Sequence, residues 1–90
     1  MPKIRFTSNL KRFYPKLKEV SSSAESIKEA LNDIERSYPG ISDYIIDDSG
    51  QLRKHVNIFI GDELVKDRVN LNDSVCEDDV VYIMQALSGG

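Results

Sequence analysis

Val80-Val81-Tyr82-Ile83-Met84-Gln85 is apolar at nearly every position and runs within a few residues into Leu87-Ser88-Gly89-Gly90. A strand that alternates polar and apolar covers one face of a sheet; a strand apolar on both sides belongs in its middle. The spacing puts Val81 and Ile83 on one face and Tyr82 and Met84 on the other. Two glycines at the end contribute no burial and carry the highest backbone entropy, so they add nothing to a core. They read either as a frayed end or as a chemical handle. A terminal glycine offers a carboxylate with no side chain beside it, on a tail thin enough for a narrow active site.

The elements before this strand supply what it packs against. Lys3-Ile4-Arg5-Phe6-Thr7 alternates, with Ile4 and Phe6 facing a core, and Ser8-Asn9-Leu10 offers turn chemistry. Phe13 to Val20 carries Pro15, which confines it to a sheet edge if it is a strand, and the two stretches read as a hairpin. Ile27, Leu31, Ile34 and Tyr38, with Ala30 beside them, make one apolar stripe at helical spacing. This predicts one helix of roughly 13–15 residues. A serine caps its start, Ser22 with Glu25 forming the expected capping box and Ser26 with Glu29 lying too far in; Pro39-Gly40 ends it.

Ile41 to Ile46 is open between a short helical turn and a strand, and Asp47-Asp48-Ser49-Gly50 is a turn. His55 opens an alternating run in which Val56, Ile58 and Ile60 share one face and Asn57 and Phe59 the other. Gly61-Asp62-Glu63 turns the chain into a short strand, Leu64-Val65, and Leu71 and Val75 are expected in the core. An open sheet crossed by one helix is the two-layer solution for so short a chain, and leaves Phe59, Tyr82 and Met84 on an uncovered face as a partner-binding patch.

Ninety residues allow one domain. The net charge of −3 argues against general affinity for nucleic acid or an anionic membrane. No stretch approaches the ~20 apolar residues of a membrane span, and no secretory signal is expected. With one cysteine an internal disulfide is impossible, and the default location is the cytoplasm. One His and one Cys cannot build a zinc site of the usual kind, so no metal is expected. His55 and Cys76 could form a nucleophile–base pair only if the fold joined them, and the acidic run around Cys76 disfavours a thiolate; Cys76 is expected as half-buried filler. His55 reads as a strand-edge residue. No Gly-rich phosphate loop is present, and the chain is not expected to be an enzyme. The first eighteen residues hold six cations (Lys3, Arg5, Lys11, Arg12, Lys16, Lys18) and no acid, which reads as a solvated strand face with a docking surface as the alternative.

The order strand, strand, helix, strand, short strand, central strand, ending in Gly-Gly, resembles the ubiquitin-like β-grasp fold. More narrowly, the sequence is similar to the MoaD/ThiS family of sulfur carriers. The resemblance rests on Lys3 to Leu10, on Gly50 to Glu63 with its Val56-Asn57-Ile58-Phe59-Ile60 core, and on Asp78 to Gly90. Leu87-Ser88 departs from the Val-Ala of many relatives and leaves the pathway open. The resemblance implies an α+β β-grasp domain, a mixed sheet of four to five strands with one main helix on one face, over residues 1–86, and a flexible diglycine tail, 87–90.

It also implies that an E1-like adenylyltransferase/sulfurtransferase adenylates the Gly90 carboxylate with ATP and that a sulfur donor converts the adenylate to a thiocarboxylate. Sulfide then passes to a biosynthetic enzyme, whether a molybdopterin synthase large subunit, a cysteine-synthase-like or a thiazole synthase-like partner, or one serving tRNA thiolation. The chain itself binds no cofactor in this scheme. Gly89, Ser88 and Leu87 thread the partner's channel, the residues beyond Ala86 reaching at most ~14 Å. Arg53 and Lys54 join Phe59, Tyr82 and Met84 as expected partner contacts. A protein modifier conjugated through Gly90, or a non-covalent β-grasp adaptor, are the alternative readings.

Overall fold

The alternating stretches form the sheet. In the computed structural model, which describes residues 1–6, 14 and 16–85, the strands are β1 (Lys3–Phe6), β2 (Val20–Ser21), β3 (Val56–Ile60), β4 (Glu63–Leu64) and β5 (Val80–Gln85). They lie in the order β2-β1-β5-β3-β4. The doubly apolar strand is central: β5 runs parallel to β1, with Ile4 opposite Val81 and Phe6 opposite Ile83, and antiparallel to β3, with Ile58 opposite Ile83. Helix α1 (Ile27–Ser37) lays Ile27, Ala30, Leu31 and Ile34 against the face formed by Ile4, Val56, Ile58, Val81 and Ile83. Among the described residues the fold is the mixed five-stranded β-grasp with one α-helix on one face.

The helix starts later than the sequence suggests. It spans 11 residues rather than 13–15, and its cap is Ser26, not Ser22. The reason is tertiary. The loop ahead of β5 supplies carbonyls to the first turn: Ile27 N–H donates to Asp73 O and Lys28 N–H to Leu71 O. Glu29 N–H donates to Ser26 Oγ, so the orphan donors of Ile27, Lys28 and Glu29 all have partners, and Ala30 N–H makes the first bond within the helix, to Ser26 O. The Glu29 carboxylate reaches back to Glu25 N–H at 3.2 Å. Ser26 also bridges to Ser74, which holds the preceding segment extended. Ser22 is buried instead, its hydroxyl accepting from Ala24 N–H and donating to the Asp33 carboxylate.

At the other end Tyr38 closes α1 and Gly40 takes φ +93, a left-handed conformation in which a Cβ would sit 2.9 Å from Tyr14 Oη. The ambiguous Ile41 to Ile46 resolves as a 3-10 helix, Ile41–Tyr44, with Ile41 and Ile45 in the core. Glu35 ties the two helices by accepting from Gly40 N–H at 2.7 Å and Ser42 N–H at 3.0 Å.

Other expectations need adjustment. β2 is only Val20–Ser21, because the chain before it turns, Leu17 N–H donating to Tyr14 O; it does pair antiparallel with β1 and lies at the sheet edge. Phe13, Pro15 and the Ser8-Asn9-Leu10 turn lie outside the described residues, as do Lys11 and Arg12. β4 is Glu63–Leu64, one residue earlier than expected, with Val65 buried just beyond it. Leu71 and Val75 are in the core. Leu71 has φ +57, a conformation supported by Asp67, whose carboxylate accepts from Val69, Asn70 and Asn72 N–H. Cys76 is exposed, not half-buried. Val75 takes the inward position beside it, and Cys76 N–H donates to the Asp79 carboxylate in the turn that leads into β5. No described helix is long and apolar enough to cross a membrane.

Candidate functional site

The uncovered side of the sheet carries the residues expected to contact a partner. Side chains alternate across a strand, so the residues between the core positions point away from α1: Lys3 and Arg5 on β1, Val80, Tyr82 and Met84 on β5, Asn57 and Phe59 on β3. The two-residue loop Gly61-Asp62, with Gly61 at φ +63, sets the β3–β4 register and puts Leu64 opposite Phe59. Arg5, Tyr82, Phe59 and Leu64 thereby form one continuous row across four strands, each opposite the next. Met84 lies one row on, opposite Asn57.

Beyond Arg5 the row is apolar, and it is accessible. Leu64 is 48% exposed, Met84 40% and Tyr82 36%, and Phe59 is half-buried between them. Among the described residues only Met1 and Val69 are other large apolar side chains so exposed. Three of them gathered on one sheet face, contiguous with Phe59, make the kind of apolar patch expected of an interaction surface.

The row is also held in place. Arg5 Nη1 donates to Tyr82 Oη at 2.9 Å, and the guanidinium lies 5.8 Å from the Tyr82 ring centroid. Arg5 Nε donates to Glu19 Oε1 at 2.5 Å, and Lys3 Nζ lies 3.9 Å from the same carboxylate. Donating to Glu19 raises the Arg5 pKa, with Tyr82 adding to it, and accepting from Arg5 lowers that of Glu19. On the other flank Arg68 donates to Asn57 Oδ1 at 3.0 Å and to the carbonyls of Arg53 and Val56.

Of the expected partner contacts, Phe59, Tyr82 and Met84 come together on the open face. Arg53 and Lys54 do not sit among them. They are exposed in and before the turn into β3, and because Val56 lies opposite Gln85 this turn is at the end of the sheet where β5 runs out. Arg53 is partly engaged, its Nε donating to Asp43 O at 2.8 Å. His55 is exposed in the same turn, and Cys76 precedes the opposite end of β5, so the fold does not join them. Gly90, Gly89, Ser88 and Leu87 lie outside the described residues. Sequence reasoning missed Leu64 and Arg5 as parts of the face. The Gly61-Asp62 hairpin could have found Leu64, whereas Arg5 beside Tyr82 required the parallel β1–β5 register. Among the described residues no group of three His, Cys, Asp or Glu side chains could hold a metal ion.

A profile of the ThiS family matches residues 4–90. The sulfur carrier protein CysO of Mycobacterium tuberculosis (strain ATCC 25618 / H37Rv) is 36% identical over 75 residues, which cover 81% of this chain and 81% of that protein. The crystal structure of Mycobacterium tuberculosis CysO superposes with a TM-score of 0.82 at 29% identity, over 97% of this chain and 100% of the other. A chain from the Amycolatopsis orientalis BexX/CysO complex shares the fold with a TM-score of 0.84 at 22% identity, over 100% of both.

Proposed function

The chain belongs to the ThiS family, and from that premise we propose that it is a sulfur carrier whose reactive group is the Gly90 carboxylate. The observation that carries the proposal is the similarity to a sulfur carrier over most of the chain, together with a central strand, β5, that ends four residues before Gly89 in the sequence. A strand hydrogen-bonded on both sides, with β1 and β3, is a firm mount for a thin reactive tail.

The chemistry needs the partner's help at each step. A carboxylate in water is a poor electrophile. On an E1-like partner the Gly90 oxygen attacks the α-phosphorus of ATP and pyrophosphate leaves, giving an acyl-adenylate. A sulfur nucleophile from a donor then attacks the acyl carbon and AMP leaves, so a C–S bond replaces the C–O bond to phosphate. With hydrosulfide as that nucleophile the product is a thiocarboxylate; its sulfur attacks an acceptor in a second partner and displaces a leaving group there. Water then cleaves the resulting thioester, leaving the sulfur on the acceptor and regenerating the Gly90 carboxylate. The adenylate hydrolyses readily, so the pocket must exclude water, and a tail without side chains at Gly89 and Gly90 lets it close tightly. The folded domain contributes binding through the open face, with Leu87 as the last apolar anchor before the channel and Ser88 behind it. Catalytic groups, ATP and the sulfur donor belong to the partner.

The test is intact-mass measurement after incubation with ATP, a sulfur donor and a cognate activating enzyme. The carrier reading expects a gain equal to one oxygen replaced by one sulfur, abolished by deletion of Gly89 and Gly90. No gain with an enzyme that consumes ATP in its presence would refute it. Gly-Gly remnants on lysines of other proteins would instead favour a modifier.

A further inference from the structure

The chain has fifteen acidic residues and a net charge of −3, but its charge is unevenly placed. All fifteen are among the described residues, and none occupies a strand position pointing away from α1. Glu63, the acid on β4, lies opposite Ile60 and so on the other side of the sheet. Asp67 and Asp73 turn their carboxylates onto loop N–H groups, and Glu77, Asp78 and Asp79 sit at the entrance to β5, the end away from the tail. Only Glu19 reaches the open face, and there it is bound to Arg5. Cations flank the apolar row on both sides: Lys3 and Arg5 at the β1 flank and Arg68 beside Asn57, with Arg53 and Lys54 at the end of the sheet where β5 runs out.

We propose that this face recognises a protein surface with an apolar centre and a rim of carboxylates around the channel that receives the tail. The proposal rests on the carrier reading and specifies the partner's surface. An apolar row three strands wide, Tyr82, Phe59 and Leu64, needs an apolar counterpart, which a polyphosphate backbone lacks, and the acidic remainder of the molecule repels polyanions. A carboxylate rim pairs with the flanking cations. Because the acids are gathered away from this face, the same rim repels every other approach, so encounters are turned tail-first before contact. Arg5 is a positioning residue here: tied to Glu19, it sets the Tyr82 ring within the row.

The experiment uses the whole chain with the purified E1-like activating enzyme of its own organism, read by ATP–pyrophosphate exchange as a function of carrier concentration. Between about 0.05 and about 0.5 M salt the carrier's KM should rise roughly tenfold or more while kcat stays constant. Lys3→Gln with Lys54→Gln should raise KM several-fold at low salt and flatten its salt dependence, again at constant kcat. Both side chains are exposed and carry little structure, so the double variant should melt with the wild type. Lys28→Gln, on the helix side of the molecule, should leave KM unchanged. A KM insensitive to salt or to the double substitution would overturn the charge-matched face while leaving the carrier reading intact. So would a wild-type dimer in sedimentation that dissociates on Tyr82→Arg, since a second copy would then be what covers the row. Absence of any exchange with the wild-type chain would overturn the carrier reading and this inference with it.

Discussion

Ile83→Ala and Met84→Ala are adjacent substitutions on one strand with opposite expected consequences. Ile83 is 0% exposed and faces α1 between Phe6 and Ile58; Met84 is 40% exposed on the open face. Truncating Ile83 removes three carbons at ~0.8 kcal/mol each, or about 2.4 kcal/mol of transfer free energy. The cavity left in a core that cannot fully collapse brings the total to about 3–5 kcal/mol. A domain of this size has roughly 5–13 kcal/mol in all, so the variant loses a large share of its margin, and nearly all of it at the low end of that range. At about 4–8 °C per kcal/mol, its midpoint should fall by at least ~12 °C. Met84→Ala should cost less than about 1 kcal/mol, since most of what it loses is already in contact with water. Urea unfolding followed by far-UV circular dichroism reads both, with an unchanged slope required for the comparison. In the exchange assay the order should reverse, with Met84→Ala raising the carrier's KM and Ile83→Ala leaving it near wild type below its melting range. A Met84→Ala cost equal to that of Ile83→Ala would mean that the outer face of β5 is packed, and the docking surface would be lost with it.

Ser26→Ala should lower stability by about 1 kcal/mol through loss of the bond to Glu29 N–H, whereas Ser23→Ala, exposed and outside the helix, should be neutral in the same urea titration. Gly40→Ala combines a left-handed backbone with a Cβ 2.9 Å from Tyr14 Oη; it should cost at least ~1 kcal/mol, and Tyr14→Phe should recover part of the loss. The Asp67 carboxyl is held below its usual range first by Asn70 N–H and then by Asn72 and Val69, and that of Glu35 first by Gly40 N–H and then by Ser42. Both folded pKa values lie below the unfolded ones, so the stabilisation is complete above about pH 5 and is lost as pH falls through the folded values. Urea midpoints measured from about pH 6 downward should therefore fall, and Asp67→Asn should fall less steeply. An equally steep fall in that variant would remove Asp67 from the account.

The strands that face the helix were legible because burial enforces a period of two: Ile4, Val56, Ile58, Val81 and Ile83 could be assigned to the core from alternation, and β5 to the sheet centre from its apolar character on both sides. The stripe Ile27, Ala30, Leu31 and Ile34 fixed the helix and its buried side for the same kind of reason. The start of that helix was not legible. Two serine–glutamate pairs, Ser22 with Glu25 and Ser26 with Glu29, offer the same local cap, and the choice was made by carbonyls of Leu71 and Asp73 far along the chain. Cys76 was misjudged because a general tendency of cysteines to be buried competes with Val75 for one inward position, and the valine takes it. Phe59, Tyr82 and Met84 could be grouped by face from their parity, but parity does not say which residues of different strands lie opposite one another. The row Arg5, Tyr82, Phe59 and Leu64 exists only through the parallel β1–β5 register and the β3–β4 turn, and neither is written in a local pattern. The sequence by itself determined the layers and the central strand with a diglycine sequence after it; tertiary pairing decided the order of the outer face, the placement of Arg53 and Lys54 at its edge, and the separation of acids from cations that gives the face its charge.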